Sequence, residues 1–524
     1  MRSTFHGLET AKRAMFAQQT AISTTGHNIA NANTPGYTRQ RVNFQQTEPY
    51  PGLSMNRPQI PGQMGTGVEA GSIERVRESF LDVQFRGENN KLGYWQARSE
   101  SLEKMENILN EPSDSGLAAV MGQFWQSLQD LSVNPENEGA RSVVMQRGQA
   151  VVDTFHYMHD SLSAIKADIG SQVEVGVKEI NSILEQISGL NQQISEIEPN
   201  GYLPNDLYDE RDRLVDQLSQ HLNISVTRES TGGNRVPSAE GTYTITMNTA
   251  NGPVELVKGE QVNNIGIAGG TDTDGDGLGD QVNGPLAGFT VAGQTIDVPS
   301  FSQGKLKAQA EAYGYGANGS ESGSYPDMLD QLDQLAYTFG TLFNAVHGHD
   351  YEMTGTPAEG KTHFFELGAG TSYKGAASAI EVNATLDPKD IATSFGGTGD
   401  GRNAINLANV TSMILSESSV QLEGGTQLNI SGLPIQNGTI NSFYEGMIGS
   451  LGVDAQQAAR MTKNSEVLTQ TVETNRQSVS AVSLDEEMTN LIKFQHAYNA
   501  AARNITIVDE MLDRVINNMG VVGR

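Results

Sequence analysis

Cysteine is absent from all 524 positions of the chain. That excludes a disulfide framework, a thiolate nucleophile and every thiolate metal site, and leaves no stray thiol to cross-link an unfolded chain in an oxidising space. Positive charge is scarce: 34 Lys and Arg stand against 62 Asp and Glu, a formal net charge of −28. A surface of that sign repels phosphate backbones and anionic lipid, so nucleic acid and membranes are set aside as partners. No apolar run approaches the ~20 residues a membrane helix needs. The opening stretch Met1–Glu9 carries neither an apolar h-region nor a cleavage site, so no Sec-type signal is expected. Aromatics are only 6% of the chain, while glycine occurs 57 times, above the usual ~7%. Such a chain is globular, turn-rich and covered in polar amide surface.

What is present is long-period helix. The length predicts two to four domains. Leu8, Met15, Ile22 and Ile29 fall at strict seven-residue spacing, the period of a coiled-coil seam, in a helix that should end near Asn33 because Thr34 precedes Pro35. Leu484, Leu491, Tyr498, Ile505 and Leu512 repeat the spacing at the other end of the chain. Thr38–Phe44 and Thr66–Ile73 alternate as short strands within a Pro/Gly-rich linker. From Phe80 to Leu222 the pattern is helical. Proline is missing between Pro135 and Pro199, which allows a rod of roughly 45 residues, about 70 Å long. Near Ile224 the period drops to two, and Asn251-Gly252 marks a hairpin. Helix resumes at Pro326 and is continuous from about Ile440.

The fold class expected is therefore mainly α with a β-rich inserted domain: paired N- and C-terminal coiled-coil helices plus an elongated long-helix domain. The expected domains are 1–40 with 480–524 as a terminal coiled coil, 41–224 with 303–479 as an elongated, mostly helical middle domain with irregular and β segments (350–402 mostly irregular, with short strands), and 225–302 as a β-rich outer insert. A private helix pair closing one domain and an element that packs against other copies both fit the terminal heptads.

One motif has metal-ligand spacing. Asp272, Asp274, Asp276 and Asp280 occupy positions 1, 3, 5 and 9 of an EF-hand-like loop, with Gly277 at the turn; position 12 is Asn283 instead of the bidentate Glu. Two readings stand: a weak calcium site, with affinity on the order of 10⁻⁴–10⁻³ M, and a solvated Asp-Gly loop of an acidic protein. Calcium is the one cofactor weighed. His347, His349, Asp350 and His363 cluster without an HExxH or comparable pattern and read as a frayed helix end. No coherent acid/base pair or nucleophile motif is found, and no enzymatic activity is expected.

The segment Gln19 to Gln40, containing Gly26-His27-Asn28-Ile29-Ala30-Asn31-Ala32-Asn33-Thr34-Pro35-Gly36-Tyr37-Thr38-Arg39, resembles the N-terminal signature of the flagellar rod, hook and hook-associated axial proteins. The segment Leu484 to Met519, with Glu486-Glu487-Met488 and Phe494-Gln495-His496-Ala497-Tyr498-Asn499, resembles their C-terminal signature. Length and the helices from 80 to 222 place the chain beside the hook-associated members. The resemblance implies a structural export substrate, an adaptor at the junction of hook and filament that filament assembly requires. It implies type III flagellar export without a cleaved signal, an extracellular place in the flagellum, and termini that are disordered in the free monomer and fold on assembly. Implied partners are the hook protein, a third hook-associated protein on the filament side, copies of the chain in a ring, and an export chaperone. The assembly interface would be Leu8, Met15, Ile22, Ile29, Leu484, Leu491, Tyr498, Ile505 and Leu512, and the domain-connecting turn Asn33, Pro35, Gly36 and Tyr37. Another axial protein such as a hook protein is one rival, and a secreted calcium-dependent adhesin or hydrolase is another.

Overall fold

The computed structural model describes residues 4–51, 62–109, 116–273, 277–317, 320–348, 363–368, 372–394, 399–415, 419–422, 427–430 and 432–517. It is 61% helical, with long helices and small sheets. Helix α1 spans Thr4–Ala30. A hairpin follows, β1 (Gln40–Gln46) antiparallel to β2 (Val68–Arg75), with Gln40 opposite Arg75. Its register shifts between Asn43 and Phe44, and the extra residue is Gly71, where a Cβ would lie 2.5 Å from the Gln45 side chain. Glycine removes that crowding at the bulge.

Four helices come next: α2 (Ser79–Leu109), α3 (Leu117–Val133), α4 (Glu138–Ile197) and α5 (Asn205–His221). The rod α4 has 60 residues, about 90 Å at 1.5 Å per residue, longer than the periodicity alone predicts. It starts early because Asn137 caps it: the Asn137 Oδ1 accepts hydrogen bonds from the Gly139 and Ala140 amides at 2.9 and 3.2 Å. Strands β3 (Ile224–Glu229), β4 (Thr242–Thr249), β5 (Gly252–Lys258) and β6 (Gln261–Val262) form an antiparallel sheet in sequential order. The Asn251-Gly252 turn joins β4 to β5, with Gly252 at φ +119°. A three-stranded sheet of β7 (Ile265–Ile267), β8 (Phe289–Val291) and β9 (Gln294–Ile296) follows. Then come α6 (Lys305–Tyr313), the hairpin β10 (Tyr315–Ala317) and β11 (Ser320–Ser322), and α7 (Ser324–Gly348). The paired β12 (Phe365–Glu366) and β13 (Glu381–Val382) flank α8 (Ala376–Ala379); α9 (Arg402–Ala408) and the hairpin β14 (Ser419–Gln421) and β15 (Gln427–Asn429) follow. Two long helices close the chain, α10 (Ile440–Ser480) and α11 (Leu484–Asn517).

The chain divides into two compact units. The first comprises Met1–Lys91, Glu179–Asn264 and Ser465–Arg524; the second comprises Leu92–Lys178 and Ile265–Asn464. Helices α2, α4 and α10 supply residues to both. The division separates the two sheets of the 225–302 region that the sequence treats as one insert: β3–β6 belong to the first unit and β7–β9 to the second. Side-chain hydrogen bonding explains the first assignment. Asn191 of α4 donates through Nδ2 to the carbonyls of Tyr243 and Gly259 at 3.0 and 2.9 Å and accepts from the Tyr243 amide at 3.1 Å. The sheet is thereby stitched to α4. Ile245, Met247, Leu256 and Val257 of the sheet are buried, as are Leu184, Ile187 and Leu218 on the helices of the same unit.

The second unit's core is aromatic at its centre. Phe124, Phe155, Phe339, Phe343, Phe364 and Phe365 are fully buried, and the Phe364 and Phe339 rings lie 4.7 and 5.0 Å from that of Phe365. Asn344 holds the segment after α7 in place: its Oδ1 accepts from the Phe364 and Phe365 amides at 3.0 and 2.9 Å. His347 is part of this interior, its Nε2 accepting from the Ala392 amide at 3.1 Å, and burial pushes the half-buried His363 below the usual imidazole range. The helix end expected at Gly348 is where α7 stops, but His347 in its last turn is buried and not frayed. His349 and Asp350 lie outside the described residues.

Candidate functional site

The two terminal signatures meet in the first unit. Helices α1 and α11 pack antiparallel: a Cβ on Gly7 would lie 3.6 Å from Val508 Cγ2, and the Asn28 Nδ2 donates to Glu487 Oε2 at 3.1 Å. Residues buried along α1 are small or polar, namely Ala11, Ala17, Ala21, Thr24, Thr25 and Asn28; Glu487 and Ala501 are their buried counterparts on α11. The heptad residues flank this line. Leu8, Met15, Ile22, Ile29, Leu491, Tyr498, Ile505 and Leu512 are half-buried, and Leu484 is 49% exposed. Met519 lies outside the described residues. Two helices and one hairpin cover only one side of each amphipathic surface, which leaves the broad apolar stripe partly open.

Other large apolar side chains are more exposed, Phe5 at 61% and Phe16 on α1, with Met488, Ile492, Ile507, Met511, Val515 and Ile516 at 72% on α11; of these Phe5, Met488 and Ile516 lie on the heptad lines beside the two seams. Met488 and Ile492, and separately Ile507, Met511 and Val515, step by four, which was the available signal for them. A heptad template passes over it because i, i+4 rows drift around the helix.

The turn leaving α1 is built around Asn28 and Gly36. Gly36 has φ +83°, a conformation costly for any residue with a Cβ. Tyr37 folds back so that its hydroxyl donates to Asn28 Oδ1 at 2.8 Å, and its ring meets His27 edge-on at 5.5 Å. Burial, with Asp206, Asp209 and Glu487 nearby, pushes the Tyr37 phenol well above its usual range, keeping it a neutral donor. Asn28 also accepts from the Gln40 amide at 3.0 Å and donates to the Gln40 carbonyl at 2.8 Å. Arg39 then reaches α11: its Nε donates to Glu487 Oε1 and its Nη1 to Glu486 Oε2, both at 2.8 Å. The expected turn residues Pro35, Gly36 and Tyr37 thus lie where α1 gives way to β1; Asn33 sits exposed in the same turn.

Behind this turn lies a buried charge network on which the sequence reading is silent. Arg75 donates to Asp209 at 2.7 Å and Asp212 at 2.9 Å, and also pairs with Glu240. Arg77 binds both oxygens of Asp82 at 2.7 and 2.9 Å. Arg86 contacts Asp216 and Asp212 at 2.8 and 3.2 Å, and Arg476 at the end of α10 pairs with Asp216. Burial would raise the Asp212 pKa, but Arg77, Arg75, Arg86 and Arg211 outweigh it and hold the carboxyl well below its usual range. The network joins β2, α2, α5 and α10. Its only local trace is the charge-dense run Asp206 to Asp216 on a helix with a narrow leucine stripe.

At the acidic loop, Asp272 Oδ2 accepts from the Gly277 amide at 2.9 Å, and Asp280 Oδ2 accepts from the Thr273 hydroxyl at 2.7 Å. Asp274 and Asp276 lie outside the described residues. Among the described residues no group of three or more His, Asp or Glu is placed to hold a metal ion, and no helix is long and apolar enough to cross a membrane.

Comparison with known proteins bears on the paired termini and on the helices between them. Residues 102–365 match the family described as Flagellar hook-associated protein FlgK helical domain. Over its full length the chain is 44% identical to Flagellar hook-associated protein 1 of Bacillus subtilis (strain 168), covering 100% of both chains. The chain belongs to the flagellar hook-associated protein 1 family. Residues 8–38 match Flagella basal body rod protein, and 473–519 match Flagellar basal body rod FlgEFG protein C-terminal, so this family shares its terminal segments with other axial proteins. Flagellar hook-associated protein 1 of Salmonella typhimurium (strain LT2) is 26% identical over 97% of this chain and 98% of its own. A solved structure of the flagellar hook junction protein FlgK from Burkholderia pseudomallei shares the fold, with TM-score 0.52 at 16% identity, over 75% of this chain and 100% of that one. As a family member the chain is a hook-associated structural protein of the bacterial flagellum that associates with other axial proteins. This membership displaces the hook-protein and adhesin or hydrolase rivals.

Proposed function

We propose that the chain is a mechanical adaptor where hook gives way to filament, working by packing and not by catalysis. The α1–α11 pairs of many copies stand side by side as an inner tube, against hook protein on one side and the third hook-associated protein on the other. An export chaperone delivers the chain through the flagellar channel without removal of a signal, and it acts outside the cell. The observation that carries this reading is the row of large apolar side chains left open on the pair, Phe5, Phe16, Met488, Ile492, Ile507, Met511 and Val515. Each would contribute up to ~1.5–3 kcal/mol when fully buried, and a monomer has no use for so many large apolar side chains in the open.

Ile22→Asp or Ile505→Asp is expected to leave the middle of the chain, 41–224 with 303–479, folded and to abolish incorporation. Electron microscopy should then show hooks without filaments while flagellin leaks into the medium; normal filaments would refute the interface. A weak calcium site at Asp272, Asp274, Asp276 and Asp280 is a separate proposal. Calorimetry should show a calcium heat that Asp272→Ala removes, and no heat in the parent chain would end it.

A further inference from the structure

Resting on the assembly reading above, we propose that Asn28, Arg39 and Glu487 form a register lock for the α1–α11 pair. The lock decides which apolar side chains of α11 are left facing outward. Ala11, Ala17, Ala21 and Ala501 present a shallow surface, and a helix slipped along such a surface loses little packing. Apolar heptads specify partners poorly, and a single buried polar position is the usual device that fixes their register.

The polar contacts are gathered at one end. Glu487 is 2% exposed, and its two carboxylate oxygens are taken by Arg39 Nε and Asn28 Nδ2. Arg39 and Asn28 are themselves fixed to the chain: the Arg39 amide donates to the Ser480 carbonyl at 2.9 Å, the Val76 amide donates to the Arg39 carbonyl at 2.8 Å, and Asn28 is bonded both ways to the Gln40 backbone. At the far end the contact given by Gly7 and Val508 is apolar. A slip of α11 by one turn would set Ser483 or Leu491 opposite Asn28. Leu491 offers no acceptor and Ser483 only an uncharged hydroxyl, so the Arg39 guanidinium and the Asn28 amide would lose the buried Glu487 carboxylate that they share.

The register matters for assembly because four residues of slip turn the outward stripe by about 40°. Copies that must pack side by side then no longer present the same face. The lock therefore gives every copy the same outward placement of Met488, Ile492, Ile507, Met511 and Val515.

The absence of native cysteine makes the test clean. Copies carrying Gly7→Cys with Val508→Cys report the locked register, and Gly7→Cys with Asn504→Cys or Leu512→Cys report a slip of one turn. Each full-length copy is co-expressed with the unchanged chain, and intramolecular disulfide is measured in isolated flagella. With the lock intact, the Gly7–Val508 pair should oxidise at least about tenfold faster than either slipped pair. Arg39→Ala, or the isosteric Glu487→Gln, should erase most of that preference. A preference unchanged in both variants would overturn the lock. A Gly7–Val508 pair that never forms, even with the lock intact, would overturn the paired-helix reading beneath it.

Discussion

Asp212 shows how much of this fold depends on single side chains. It lies among Arg75, Arg77 and Arg86 and accepts from the Tyr243 hydroxyl at 3.0 Å. Removing its charge leaves several buried guanidiniums short of a counterion. Asp212→Asn should therefore cost about 3–5 kcal/mol, read as a lower urea midpoint for the first unit; a change under about 1 kcal/mol would contradict the network's role. The pH dependence follows from the same geometry. The folded-state pKa is held below the unfolded value, so this contribution is complete above about pH 4 and is lost as pH falls toward the folded value. Asp209 works the opposite way, since burial raises it despite Arg75. The first unit should loosen on acidification below about pH 4, with a smaller acid effect in Asp212→Asn. None of this is legible in the sequence, because the partners come from residues 75 to 476 and no local period joins them. The Pro35-Gly36-Tyr37 turn is legible, because a single glycine must take a positive φ where the helix ends.

At the scale of elements, the periodicities locate α1, α2, α4, α5, α7 and α11 and both strands of the first hairpin. They miss the length of α4, which a cap at Asn137 extends, and offer short strands between 350 and 402 without placing them, because two residues carry no period. Helix α10 holds Gly446, Gly449 and Gly452, and a Cβ on any of them would meet nothing within 4 Å. Their cost to the helix, about 0.5–1 kcal/mol each relative to alanine, is offset by no close approach among the described residues. Gly446→Ala and Gly449→Ala should each raise the thermal midpoint. A fall in either would show a constraint that these open surroundings do not reveal. The heptad seam is the instructive case. Its residues lie on the pair, but half-buried at its margins, because a period of seven marks a face without saying how many partners share it.

For the molecule as a whole, the mainly helical fold with inserted strands is readable from sequence, and so is the kinship of the two ends. The partition into two units is not, because β3–β6 and β7–β9 are adjacent in the chain and differ only in the side chains that hold them. The central claim is that α1 and α11 are finished by neighbours and not by their own unit. Amide hydrogen exchange tests it most directly, comparing residues 4–30 and 484–517 in the purified full-length chain with the same residues in isolated flagella. Rapid exchange is expected in the free chain, with protection increased on the order of a hundredfold in flagella. Equal, strong protection in both would contradict the claim.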